Sequence, residues 1–278
     1  MTDLFARRVA VLATMHRKEQ AIAPRLEMPL GLTVTVPAGF DTDGFGTFTG
    51  EVTRPADQLA TARLKAEAAL DYTGETLAIA SEGSFGPHPQ IPFVPCNREL
   101  VVLIDRQHGL EIVGECLSTE TNYRQQPLRS WQDAEAFAAA VDFPSHGLIV
   151  RADGTVLAKG ITTESALSTA VEAALRQAAT VQIETDMRAL YNPTRMGVIA
   201  QATEDLLRAI AQTCPNCACP GFREVKRWPG LPCGLCGTPT LLTRLVRHQC
   251  QRCDYQQDQA PADLPTAADP LHCPYCNP

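Results

Sequence analysis

Cys214-Pro-Asn-Cys217, Cys233-Gly-Leu-Cys236, Cys250-Gln-Arg-Cys253 and Cys273-Pro-Tyr-Cys276 close the chain as four pairs of one spacing. Eight thiols in this pattern supply the ligands of two tetrahedral tetrathiolate sites, and soft thiolates favour zinc or iron over magnesium or calcium. All four pairs are thiolate, so no coordination position is left open for catalysis; two structural zinc ions are expected, supplying the folding energy that a small core lacks. The spacers bear on the wiring. Phe222 to Trp228 and Leu241 to His248 each read as an uninterrupted strand, and seven extended residues cover roughly 23 Å. Each spacer would therefore carry the chain across a small sheet, joining the first pair with the third and the second with the fourth. Pro229-Gly230 could instead turn the chain back and join consecutive pairs. All eight cysteines are ligands in either wiring.

Outward from this tail, the chain of 278 residues is long enough for a second domain. The expected division is an α/β ligand-binding or catalytic domain over 1–212 and a cysteine-rich, zinc-ribbon-like domain over 213–278. An apolar fraction of 45% and a charged fraction of 20% are those of a globular protein. The formal charge is −7, and from Thr213 onward six Lys/Arg meet five Asp/Glu. That balance argues against nucleic acid as a partner without excluding it. No apolar run reaches the roughly 18 residues of a membrane span. The opening MTDLFARRVAVLAT reads as a first strand and not as a signal peptide. Eleven cysteines arranged mostly in metal-binding pairs suggest a reducing, cytoplasmic setting. Of the three left over, Cys96 and Cys116 read as small buried hydrophobes and Cys219 as a spare beside a knuckle.

Val9 to Thr14 is a short apolar run of the kind buried on both faces. A helix from Glu19 to Leu26 and a second strand, Leu32 to Val36, follow it; strand, helix and strand in this spacing suggest a parallel βαβ unit. A helix capped at Thr53 with Pro55 in its first turn carries Lys65, and Leu77 to Ala80 is a third buried strand running into a loop over Ser81 to Pro89. Glu99 to Asp105 and Leu110 to Ser118 form a hairpin about Arg106-Gln-His-Gly109. Asp153-Gly154 marks another hairpin between helices at 131–141 and 165–179, and a last helix covers about Thr203 to Gln212. The expected fold is α/β: a mixed, mostly parallel sheet with helices on both faces.

In a parallel sheet, ligands bind beyond the carboxyl ends of the strands. Polar segments follow three strands here: Met15-His16-Arg17-Lys18, Asp41-Thr42-Asp43 and Ser81-Glu82-Gly83-Ser84. Lys18 at a helix start suits a phosphate. Asp41, Asp43 and Glu82 could hold magnesium or manganese, or orient water for attack on phosphorus. Lys65 could reach the same region, His16 and Ser84 could touch the ligand, and Arg188, Asn192 and Arg195 could close over an anion. Each has a plainer reading: a solvated helix charge for Lys18, turn caps for Asp41 and Asp43, a local ion pair for Asp186 with Arg188. No P-loop, GxSxG, HExxH or dinucleotide fingerprint is present.

The segments ATMHRKE (13–19), FDTDGFGTF (40–48), ASEGSFGPHP (80–89), ETDMRALYNPTRM (184–196), CPNCACPGF (214–222) and GLPCGLCGTPT (230–240) resemble an uncharacterised bacterial family. That family is described only as a domain of unknown function ending in cysteine pairs. Thr14 to Lys18, Lys65, Glu82-Gly83 and Asn192 to Arg195 also resemble, in order but not in identity, the motifs of inosine/xanthosine triphosphate pyrophosphohydrolases. The first of these motifs is one residue longer here. The resemblance implies metal-dependent hydrolysis of a nucleotide or another phosphorylated small molecule. A non-enzymatic adaptor whose zinc tail binds protein or nucleic acid is the second expectation, and assembly into a homo-oligomer the third.

Overall fold

The computed structural model describes residues 4–45, 56–261 and 265–278. They fall into two compact units, Asp3–Leu207 and Arg208–Pro278.

The first unit opens with β1 (Val9–Ala13), α1 (Glu19–Leu30) and β2 (Thr33–Thr35), then α2 (Gln58–Thr73) and β3 (Leu77–Pro87). The hairpin β4 (Pro95–Asp105) and β5 (Leu110–Ser118) completes a five-stranded sheet of order β2-β1-β3-β4-β5. The βαβ reading of the first strands holds, since β1 pairs parallel with both β2 and β3. The sheet is mixed as expected, but parallel pairing stops there. β3, β4 and β5 are linked as antiparallel neighbours, because the connections after β3 and β4 are too short for a crossover.

α2 starts at Asp57, whose side chain accepts from the Ala60 N–H; Thr53 and Pro55 lie outside the described residues. Ala62, Ala66, Ala69 and Leu70 of α2 pack on Val11, Ala13, Ala78, Ala80, Val102 and Ile104 of one sheet face. Small alanines let helix and sheet approach closely. The other face is crossed by α5 (Pro193–Ala211), where a Cβ added to Gly114 of β5 would collide with the backbone of Leu206 and Ala202. Helices therefore cover both faces.

A second sheet, entirely antiparallel, has the order β6-β9-β7-β8 from β6 (Gln125–Pro127), β7 (Leu148–Ala152), β8 (Thr155–Ile161) and β9 (Val181–Thr185). Its core joins Leu148, Val150 and Ile183 to Ala134 and Phe137 of α3 (Trp131–Ala140) and to Leu167 and Val171 of α4 (Glu164–Gln177).

In the second unit, β10 (Arg223–Pro229), β11 (Thr243–Gln249) and β12 (Gln256–Gln259) form an antiparallel sheet in chain order. Val246 is buried beneath it. Among the described residues no helix is long and apolar enough to cross a membrane.

Candidate functional site

The strand ends of the first sheet create the site. β1 makes its last pairing with β3 at Ala13 opposite Ala80, while β3 continues to Pro87 against β4. From Ser81 onward, one edge of β3 therefore runs past the carboxyl end of β1. The loop expected over Ser81 to Pro89 is thus mostly strand: glycines and prolines at 83, 86, 87 and 89 suggest a loop locally, but pairing with β4 stabilises the extended chain through Pro87.

Lys18 stands at the N-terminus of α1 and reaches that edge. Its Nζ donates to the Ser81 carbonyl at 3.1 Å and to Ser81 Oγ at 2.9 Å. Glu82 shares the α2-facing side with Ala78 and Ala80, and Lys65 of α2 pairs with its carboxylate in the interior. One residue on, Gly83 faces the opposite side, against Glu99 of β4. A Cβ on Gly83 would collide with Glu99 Oε1 and lie 2.6 Å from Arg195 Nη2. Arg195 Nε donates to Glu99 Oε1 at 2.8 Å, both side chains being 0% exposed, and its Nη1 donates to the Met187 carbonyl at 2.5 Å. Two buried ion pairs thus flank one strand edge, one on each face, with Lys18 at the edge itself.

The electrostatics of Lys18 record this crowding. Burial, and then the Arg195 charge, push its ammonium down from 10.5 to about 7; Lys65 acts in the same direction, and Glu82 and Glu99 partly oppose them. Among the described residues Lys18 bonds only to Ser81, a neutral partner. When protonated, it leaves three buried cations against two carboxylates among the described residues.

Asn192 prepares the other side. Its Oδ1 accepts from the Arg195 N–H at 2.9 Å and so caps α5, whose first residue is Pro193; its Nδ2 donates to Asn122 Oδ1 at 2.9 Å. Arg195 also lies under the Phe85 ring, 5.5 Å from its centroid, and Phe85 stacks on Tyr123. Ser84 Oγ donates to Gln58 Oε1 at 3.2 Å, and Gln58 Nε2 donates to the carbonyls of Glu82 and Arg98 at 2.7 and 2.8 Å.

Lys18, Lys65, Glu82 and Arg195 are therefore brought together, with Asn192 behind them. Arg188 is engaged elsewhere: its guanidinium pairs with buried Asp186 at 2.6 Å and lies over the Tyr191 ring. The local pair is the plainer of its two readings. His16 is half-buried in the turn after β1, its N–H donating to Thr14 Oγ1 at 3.2 Å. Asp41 is exposed, beside Thr42, whose N–H meets Met15 Sδ at 3.1 Å. Asp43 begins a 3-10 turn, and its side chain lies outside the described residues. Glu99 and Gln58 are members that the sequence did not announce, and Ser81 stood in a quoted polar segment without a role of its own. A carboxylate at the head of an apolar strand was the available sign for Glu99, but its partner depends on a hairpin register that no local pattern gives.

The cysteines assemble as two tetrads, Cys214, Cys217, Cys250 and Cys253, and Cys233, Cys236, Cys273 and Cys276. This is the interleaved wiring. The strands β10 and β11 carry the chain from one knuckle to the other, as their uninterrupted sequences indicated. Sγ separations are 3.7 Å (Cys214–Cys253), 3.6 Å (Cys217–Cys250), 4.0 Å (Cys233–Cys276) and 3.6 Å (Cys236–Cys273). A tetrahedron with metal–sulfur bonds of 2.3 Å has edges of about 3.8 Å, so both tetrads fit one metal ion each. Cys219 lies outside the tetrads, buried, with Sγ directed to the Pro220 carbonyl. Among the described residues, no further cluster of three His, Cys, Asp or Glu has metal-holding geometry. The expected carboxylate site for magnesium or manganese is not formed there: Glu82 is taken up by Lys65 and Asp41 faces solvent.

No curated protein matches this chain. The family described as Domain of unknown function (DUF6671) matches residues 65–278, taking in Lys65, Glu82, Glu99, Arg195 and all eight paired cysteines, and the chain belongs to that family.

Proposed function

We propose that the first unit is a hydrolase of a phosphorylated small molecule, and that the second is held by two structural zinc ions. The observation that carries the first part is Lys18, a buried cation without a carboxylate partner among the described residues, placed beyond the carboxyl end of a parallel strand. An anion is the partner such a group lacks. A phosphate oxygen against Lys18 Nζ would hold the ammonium protonated and balance the three cations. Glu82, whose carboxylate is paired with Lys65, is the group that orients the attacking water. Water adds to phosphorus, the bond to the leaving oxygen breaks, and the proton of the water passes to Glu82. Arg195 and Glu99 position the strand edge through Gly83 and do not meet substrate in this reading. Magnesium or manganese would enter on the substrate's own phosphates.

The test is turnover by the purified chain, with Mg²⁺ or Mn²⁺, of nucleoside triphosphates and simple phosphate esters. Release of phosphate or pyrophosphate, abolished in Glu82→Gln and reduced at least a hundredfold in Lys18→Met, supports the reading. An inert wild-type protein across that panel contradicts it. Zinc as the metal is checked by elemental analysis, with iron the outcome that would correct it.

A further inference from the structure

The three strands of the metal-held sheet have a charge unlike that of the whole chain. Strands β10, β11 and β12 contain five Lys/Arg and two Asp/Glu, which leaves +3, in a protein of −7. Cross-strand register sorts these groups by face. Arg227 opposes buried Val246, and Glu224 opposes His248, which packs on Phe222; these share the face of Val246. Lys226 opposes Arg247, Trp228 opposes Leu245, and Arg223 opposes Gln249, which is in phase with Arg247. A bulge between Glu224 and Lys226 makes this possible. Without the extra residue, Arg223 and Lys226 would point to opposite sides; with it, Arg223, Lys226 and Trp228 share one face.

Trp228 is the centre of that face. Lys226 Nζ lies 4.9 Å and Arg247 Cζ 4.6 Å from its ring centroid. Asp258 holds the Arg247 guanidinium through two bonds of 2.7 Å, which fixes that cation over the ring. Among the described residues Lys226 has no acidic partner, and it is exposed. A flat aromatic ring with cations over it, on the edge strand of a sheet, matches a ligand that alternates flat rings with negative charge.

We propose that this face binds single-stranded nucleic acid, a base taking the place of the exposed Lys226 ammonium over the Trp228 ring and the flanking phosphates drawing Arg223 and the displaced Lys226. An acidic peptide would use the cations and leave the indole without a stacking partner, and a duplex hides its base faces; a single strand uses both. The site is separate from the Lys18 cluster and does not depend on a hydrolase reading.

The experiment is fluorescence anisotropy of fluorescein-labelled oligo-dT and oligo-U with the full, metal-loaded chain at low salt. Binding is expected to weaken as salt rises. Lys226→Glu should weaken it about tenfold and flatten the salt slope by about one. Trp228→Ala should weaken it at least fivefold with little change of slope, while Trp228→Phe, which keeps a flat ring, should retain most of it. Metal content and melting temperature of each variant separate loss of the face from loss of the fold. No anisotropy change at low salt, binding by Trp228→Ala equal to wild type, or equal displacement by polyglutamate would overturn the proposal, the last by pointing to an acidic protein partner.

Discussion

Gly83 and Glu99 face each other across the β3–β4 pairing, and the space a glycine Cβ would need is occupied by Glu99 Oε1 and Arg195 Nη2. The missing side chain is thus what lets a fully buried ion pair sit against the sheet. Gly83→Ala is expected to destabilise the first unit by about 1–3 kcal/mol through overpacking. Denaturant unfolding measures it.

Charge removal at the same place should cost more. Glu99→Gln leaves Arg195 buried without its counter-ion, a loss of about 3–5 kcal/mol for pairs of this kind. Glu115 pairs with Arg98 at the surface, both side chains exposed, and Glu115→Gln should cost no more than about 1 kcal/mol. Equal effects of the two substitutions in denaturant melts would show that the buried pair is not structurally privileged.

Lys18 ties stability to pH in a direction that can be worked out. Its ammonium is held near about 7 in the fold against 10.5 in the open chain, so between those values the unfolded chain binds more protons. Stability then rises with pH across that window, and the cost of burying the charge is greatest below pH 7. Lys18→Met should stabilise the protein most at pH 6 and progressively less toward pH 10. The quantity to measure is the difference in unfolding free energy between wild type and variant, which cancels the titration of other groups.

The interleaved tetrads predict which cysteine substitutions are redundant. Cys214→Ser and Cys250→Ser should each release one metal ion, and together still one, because both belong to the same set. Cys214→Ser with Cys233→Ser should release both. Stoichiometry by elemental analysis reads this directly, and chelation should melt the second unit while the far-ultraviolet signal of the first persists.

Much of this was legible in the sequence, for definite reasons. The β4–β5 hairpin is announced by Arg106 to Gly109, and the two tail strands by spacers without a turn, which is why the crossed cysteine wiring could be anticipated. Helix α5 was expected only from Thr203. Its true start needs Asn192 as cap and Pro193 in the first turn, and those residues sit in a polar stretch without apolar periodicity. The extension of β3 was hidden by Gly83, whose reason lies sixteen residues away at Glu99 and further on at Arg195. Lys18, Lys65 and Glu82 could be named from their positions after or beside strands. The division of their partners between two sheet faces follows from register, which no local pattern contains.

If Lys18 awaits an anion, binding of that anion must be accompanied by proton uptake. Inorganic phosphate is titrated calorimetrically into wild type and Lys18→Met at pH 8, in buffers of different ionisation enthalpy. At that pH Lys18 is mostly neutral, and an anion that restores its charge should draw in about one proton per molecule bound, with the uptake lost in the variant. Phosphate binding without proton uptake, or binding unchanged by Lys18→Met, would contradict the account.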